Sequence, residues 1–186
     1  MSPTVIIIAA VVLIIAIWFI ATMNGLVQRK TTVEEAFSGM DVFLKKRYDL
    51  IPNIVNTVKG YAAHEKETLE GVIAARNKAV SANRSNVNEA VEAEKDFTGA
   101  VSRLLAIAEN YPDLKANAQF LNLQNQLTAI ENDIAQARKY YNGAVKQYNL
   151  KTAMFPSSIV AAILGHKKIS FFEVAENERE NVKVEF

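Results

Sequence analysis

The chain has 186 residues, with 21 basic against 20 acidic side chains and no cysteine. A net charge of +1 offers no basic field to attract nucleic acid. The lack of cysteine excludes disulfides, thiolate metal sites and cysteine nucleophiles, while seven glycines and four prolines suit a helical chain.

Val5 to Ala21 reads VIIIAAVVLIIAIWFIA, without a charged or strongly polar side chain. With its flanks it reaches the roughly 20 residues that cross a bilayer as a helix. A cleaved signal peptide would bring a basic start and a small-residue exit. Met1 to Thr4 has no basic side chain and Ala21-Thr22-Met23-Asn24 is a poor exit, so the stretch reads as an anchor. Trp18 and Phe19 stand near its end, where rings favour the headgroup layer. Arg29 and Lys30 follow the span and no basic residue precedes it, which predicts a cytoplasmic C-terminal part.

From Leu26 the apolar positions Val33, Phe37, Met40, Leu44, Ile51, Ile54, Val58, Tyr61 and Val72 recur mostly in steps of three and four. That period predicts one long amphipathic helix to about Val80. Two signals argue for breaks. Thr31-Thr32-Val33-Glu34-Glu35 holds overlapping capping boxes that can start a new helix after a neck. Pro52 removes a backbone hydrogen bond and crowds the carbonyl of Tyr48. The apolar phase survives Pro52, which favours a kinked continuous helix. The alternative is that Asp49 caps a second helix with Pro52 in its first turn.

After a polar connection at residues 81–85, Asn86-Val87-Asn88-Glu89 opens a helix to about Asn110 with Ala90, Phe97, Val101, Leu104, Leu105 and Ala108 on its apolar face. Tyr111-Pro112 ends it. A third helix to about Met154 carries Phe120, Leu123, Leu127, Ile130, Ile134, Ala137, Tyr141, Ala144 and Tyr148 as a heptad-like seam. Phe155-Pro156-Ser157-Ser158 stops it. A short helix over Ile159 to Leu164 closes at Gly165, with His166-Lys167-Lys168 following. Ile169 to Val174 is a short apolar run, and a charged tail ends the chain.

Little in this chain looks chemical. His64-Glu65 lacks the second histidine of a zinc helix, since position 68 is Thr68, and lacks the Glu-x-x-His of a di-iron bundle, since position 61 is Tyr61. No Gly-x-Ser-x-Gly elbow and no phosphate loop occurs, so no catalytic, metal or cofactor-binding residues are assigned and no enzyme is expected. Lys45-Lys46-Arg47 reads as a solvated face, except that Arg47 lies on the seam between Leu44 and Ile51 and is expected partly buried and paired. Tyr140, Tyr141, Tyr148 and Phe155 read as core. Asn83-Arg84-Ser85 matches a glycosylation sequon only weakly.

The central stretch RYDLIPN (Arg47, Tyr48, Asp49, Pro52 and Asn53 among it) and VKGYAAHE (Lys59, Gly60, His64, Glu65) resemble the signature of the LemA family of bacterial membrane proteins. Asn24-Gly25-Leu26-Val27, Val33 to Ala36, YPDLKAN, Tyr141-Asn142, Phe155-Pro156-Ser157 and Gly165 extend the resemblance over nearly the whole chain. It implies an anchored antiparallel bundle of long helices without recognised catalytic residues. It also implies association with membrane proteases or membrane organisation. Many members carry an aromatic residue after the glycine, where this chain has His166.

The expected architecture is all-α: a transmembrane anchor over 1–23, a long-helix bundle over 24–155, and a short helix and tail over 156–186. The expected role is a non-enzymatic scaffold at the lipid bilayer; the alternative is an adaptor that binds a membrane protease or signalling partner. Helix lengths add a homo-oligomer. If the first helix rises to Val80, the second is too short to cover its lower part and the third points away. Val33, Phe37, Met40, Leu44 and Ile51 are then left to meet parallel copies. The stripe Tyr141, Ala144, Tyr148 and Phe155 would be covered by the tail folding back.

Overall fold

The computed structural model describes residues 2–83 and 86–173. The sequon at Asn83-Arg84-Ser85 and the charged tail from Val174 on fall wholly or partly outside them. Among the described residues the fold is all-α: α1 Pro3–Lys59, α2 Lys66–Ser81, α3 Val87–Glu109, α4 Pro112–Lys115, α5 Ala118–Ala153 and α6 Ser157–Ile163. An N-terminal apolar helix thus leads into further long helices and a short C-terminal one, as expected.

α1 is a single helix of 57 residues. The capping boxes at Thr31 to Glu35 do not break it; the Thr32 hydroxyl donates back to the carbonyl of Gln28 at 3.0 Å. Nor does Pro52, which lies inside the helix. The alternative start at Asp49 is therefore not what the chain adopts. Pro52→Ala is expected to keep the helix and to stabilise it by about 1–3 kcal/mol, read as a higher thermal midpoint in mild detergent.

The expected run to Val80 needs correction. The helix ends at Lys59, and residues 60–65 reverse the chain. The turn is closed by Tyr61 and Ala62 amides donating to the carbonyl of Val58 at 3.0 and 2.8 Å, and by Glu65 donating to Ala62 at 3.1 Å. α2 then runs back along α1, placing the Arg76 Nε 2.7 Å from the carbonyl oxygen of Tyr48. The cause is in the composition: KGYAAHEKET, residues 59–68, holds one large apolar residue, Tyr61, and Tyr61 is exposed. Gly60 is a poor helix former at the start of this lapse.

The contacts group the chain into two compact units. One comprises Gly39–Arg138 with the described residues after Phe171. Within it Arg47 pairs with Glu131, and Tyr61 accepts a hydrogen bond from Asn117, so α1 and α5 run antiparallel. α3 begins at an Asn86 cap whose side chain accepts from the Glu89 amide, as the motif predicted. Its core holds Met40, Leu44, Ile51, Ile54, Val58, Val72, Phe97 and Leu104, all fully buried. α4 was not expected; it forms where Pro112 takes the first helical position, and Asn117 then caps α5 by accepting from the Phe120 amide at 3.0 Å.

The other unit comprises Met1–Ser38 and Lys139–Phe171. Here too α1 and α5 are antiparallel: Phe37 meets Tyr141 edge to face at 5.7 Å, and the Lys151 ammonium lies beside Gly25. α6 ends in a Schellman motif. Gly165, at φ 71°, donates to Ala162 at 3.2 Å and His166 donates to Ala161 at 2.9 Å.

This topology overturns the basis of the parallel contact. Val33, Met40, Leu44 and Ile51 are buried within the single chain, and Phe37 is half-buried against Tyr141. One unforeseen reversal flips the direction of every later helix, so α5 pairs with α1 instead of leaving it. The second stripe behaves as expected at Tyr141 and Tyr148, which the tail covers; Phe155 stays 80% exposed.

Candidate functional site

Two of the signature residues, Arg47 and Tyr48, meet in one buried polar node. Arg47 is 2% exposed. Its Nη2 donates to Glu94, and its Nη1 donates to both oxygens of Glu131 at 2.8 and 3.1 Å. The Tyr48 hydroxyl donates to the other oxygen of Glu94. The Phe97 ring closes the node from the side, 5.0 Å from the guanidinium carbon and 5.4 Å from the Tyr48 ring. Arg47 was expected buried and paired, and it is.

Two carboxylates thus share one guanidinium. Burial pushes the Glu94 carboxyl up to about 7. Arg47 pulls it back, while the charges of Glu131 and Asp41 add to the rise. Asp49 lies outside the node, bonded to Lys45 at 2.6 Å and 3.9 Å from Arg76.

The remaining signature residues do other things. Pro52 and Lys59 line a groove of about 500 Å³ between α1 and α2, with Val55, Leu69, Ile73 and Asn77. Asn53 is exposed, and its carbonyl accepts from Thr57 at 2.9 Å. Gly60 and the exposed His64 belong to the chain reversal. Glu65 occupies the N-cap position of α2 without capping it through its side chain. Among the described residues no three His, Asp or Glu side chains are grouped to hold a metal ion.

In the other unit, Tyr141 donates to the carbonyl of Ser170 at 3.0 Å, and burial pushes its hydroxyl up to about 12. Asn142 beside it is half-buried. Asn149 donates to the carbonyl of Ile169 and accepts its amide, both at 2.9 Å. Tyr148 bonds to His166 Nδ1 at 3.0 Å, with the rings edge to face at 6.0 Å. Phe155 and Pro156 are exposed before α6, and Gly165 supplies its left-handed stop. The histidine thus gives Tyr148 both a ring contact and a hydrogen bond. His166→Phe is expected to cost about 0.5–1.5 kcal/mol, read as a lowered thermal midpoint, because the ring contact survives and the bond is lost.

Sequence reasoning missed Glu94 and Glu131. A signal existed for the first: α3's apolar face runs from Ala90 to Phe97, and Glu94 sits on the same face one turn after Ala90 and one turn before Phe97. Glu131 is 40% exposed at its side chain and follows Ile130 on the seam, so nothing in its spacing marks it.

The fold and node define the class: an all-α protein in which an apolar helix of membrane-crossing length continues into packed long helices tied by a buried ion cluster. The chain belongs to the LemA family, whose family model matches residues 36–186. It is similar to Protein LemA of Metamycoplasma hominis, 25% identical over 88% of this chain and 74% of the relative. It is similar also to Magnetosome protein MamQ 2 of Paramagnetospirillum magneticum, 25% identical over 83% of this chain and 67% of the relative. Magnetosome protein MamQ of Magnetospirillum gryphiswaldense is 24% identical over the same shares.

Proposed function

We propose that the protein is a non-enzymatic helical scaffold, anchored in the membrane by one span, with its bundle in the cytoplasm and with copies associating side by side. The observation that carries the reading is the unbroken passage of the apolar stretch into the packed part of α1. Val5 to Ile17 are exposed, whereas Thr22 and Leu26 are buried, so the surface of the helix changes character at the end of the apolar run. Within its own unit the helix joins the apolar run directly to the turns on which α5 and α6 pack. The polar groups of the core support a structural role, since Arg47, Tyr48, Glu94 and Glu131 are bonded to one another. Arg29 and Lys30 support the cytoplasmic placement.

In this reading self-association uses a surface other than the stripe of Val33, Met40, Leu44 and Ile51, which are buried within the single chain. Confinement to a bilayer raises the effective concentration of copies and favours such contacts. The test is native mass in lipid nanodiscs and mild detergent, with protease added to intact cells. A multiple of the chain mass and an uncut bundle are expected. A monomer in both media would refute self-association, and digestion from outside would reverse the topology. A second reading, an adaptor for a membrane protease or signalling protein, is favoured by the groove beside Pro52 and Lys59, which places signature residues on an accessible apolar wall.

A further inference from the structure

α6 and the residues before it carry apolar side chains that stand exposed among the described residues. Phe155 is 80% exposed, Ile163 66%, Met154 59% and Ile159 50%. Ile159 and Ile163 are one turn apart and share a face of α6. The other face is buried: Val160 and Ala161 pack on Leu26, with Phe19 and Met23 against them.

That contact sets the depth of α6. Phe19 belongs to the apolar run Val5 to Ala21. A run of this length spans about 26 Å as a helix, against about 30 Å of bilayer hydrocarbon. The boundary of the bilayer therefore falls just beyond Ala21, at the turns of α1 on which α6 is packed. Basic side chains fringe the same place. Lys151 reaches Gly25, and Lys167 and Lys168 follow the Schellman turn, both exposed. An apolar face with a lysine fringe at this level matches the pattern of a helix lying in the interface, its apolar side buried about 5–10 Å.

We infer that residues 154–164 form a second membrane contact, with α6 lying in the headgroup–acyl boundary of the bilayer that α1 crosses and Phe155, Ile159 and Ile163 set among acyl chains. The inference rests on the anchor proposed above. It makes the protein a two-point membrane binder: α1 fixes it in the bilayer and α6 restricts how the helix stands there.

The test uses the full chain in phosphatidylcholine–phosphatidylglycerol vesicles with and without brominated acyl chains, and aqueous iodide as the opposing quencher. The chain has one tryptophan, Trp18, so the native protein reports on the span. Trp18→Phe combined with Phe155→Trp, and separately with Ile163→Trp, reports on α6. Both reporters replace exposed side chains, and helical content by circular dichroism checks the fold. Trp18→Phe with Tyr140→Trp is the reference, since Tyr140 is 62% exposed on α5. Emission from both α6 reporters is expected to fall in brominated vesicles and to resist iodide, with the reverse for the reference. Quenching of both α6 reporters by iodide alone would place the face in water and overturn the inference. Shielding from both quenchers would mean that protein and not lipid covers it, which also overturns it. Native Trp18 unquenched by bromine would remove the anchor and this inference together, whereas a quenched Trp18 with unquenched α6 reporters would remove only the latter.

Discussion

Arg47→Met is expected to lower stability by about 3 kcal/mol at neutral pH, the cost of leaving the buried Glu94 carboxyl without its counter-charge. Arg47 is buried, bonds two carboxylates and lies over the Phe97 ring. Methionine keeps much of the packing but none of the donors, so the loss isolates the charge. The double variant Arg47→Met with Glu94→Gln should recover part of the deficit, because one orphaned charge goes with its partner. Urea titration of the protein in mild detergent measures both. A loss below about 1 kcal/mol for the single variant, typical of an exposed pair, would show that the node is solvated in solution.

Stability should also fall as pH rises from about 4.5 to about 7, the ordinary and the folded-state values of Glu94. The folded chain holds the Glu94 proton more tightly than the unfolded chain does. Through that window the folded state binds more protons, and the slope of unfolding free energy against pH is negative. The contribution is full below the lower value, is lost through the window and is flat above it. At 1.36 kcal/mol per unit, the change is about 3 kcal/mol. Glu94→Gln should abolish that slope, since the amide still accepts from Tyr48 and no longer titrates. The deficit of Arg47→Met should likewise shrink near pH 5, where Glu94 is protonated in either chain. Thermal midpoints between pH 4.5 and 8 read this directly; an unchanged slope in Glu94→Gln would assign it to another group.

Much of this fold is written in local pattern. The uniform apolarity of Val5 to Ala21, the Asn86 cap, the heptad seam of α5 and the Gly165 stop each carry their own signal, and each appears in the structure. The reversal at 60–65 was harder to read because apolar phase resumes after it. Val72 continues the count from Val58 as though the helix had not ended. What distinguished the two cases was the lapse between them, ten residues with Tyr61 as the one large apolar side chain. The direction of α3 and α5 depends on how many turns precede them, so that one reversal decides the rest of the topology. The node was half legible: Arg47 sat on an apolar seam and demanded a partner, but which acid came to it depended on helix directions that spacing alone does not reveal.

The same node bears on how α5 finds its place. Phe120, Leu127 and Ile134 repeat every seven residues and are all buried. A slide of α5 by one repeat, about 10 Å, would exchange apolar side chains for apolar side chains and cost little at those positions. Glu131 has no such equivalent: seven residues before it stands Gln124, and seven after it Arg138. One slide would meet the guanidinium with a neutral amide, and the other with a second guanidinium. Of these three placements only the observed one sets a carboxylate opposite Arg47, so the buried charge gives an otherwise repetitive seam a single address.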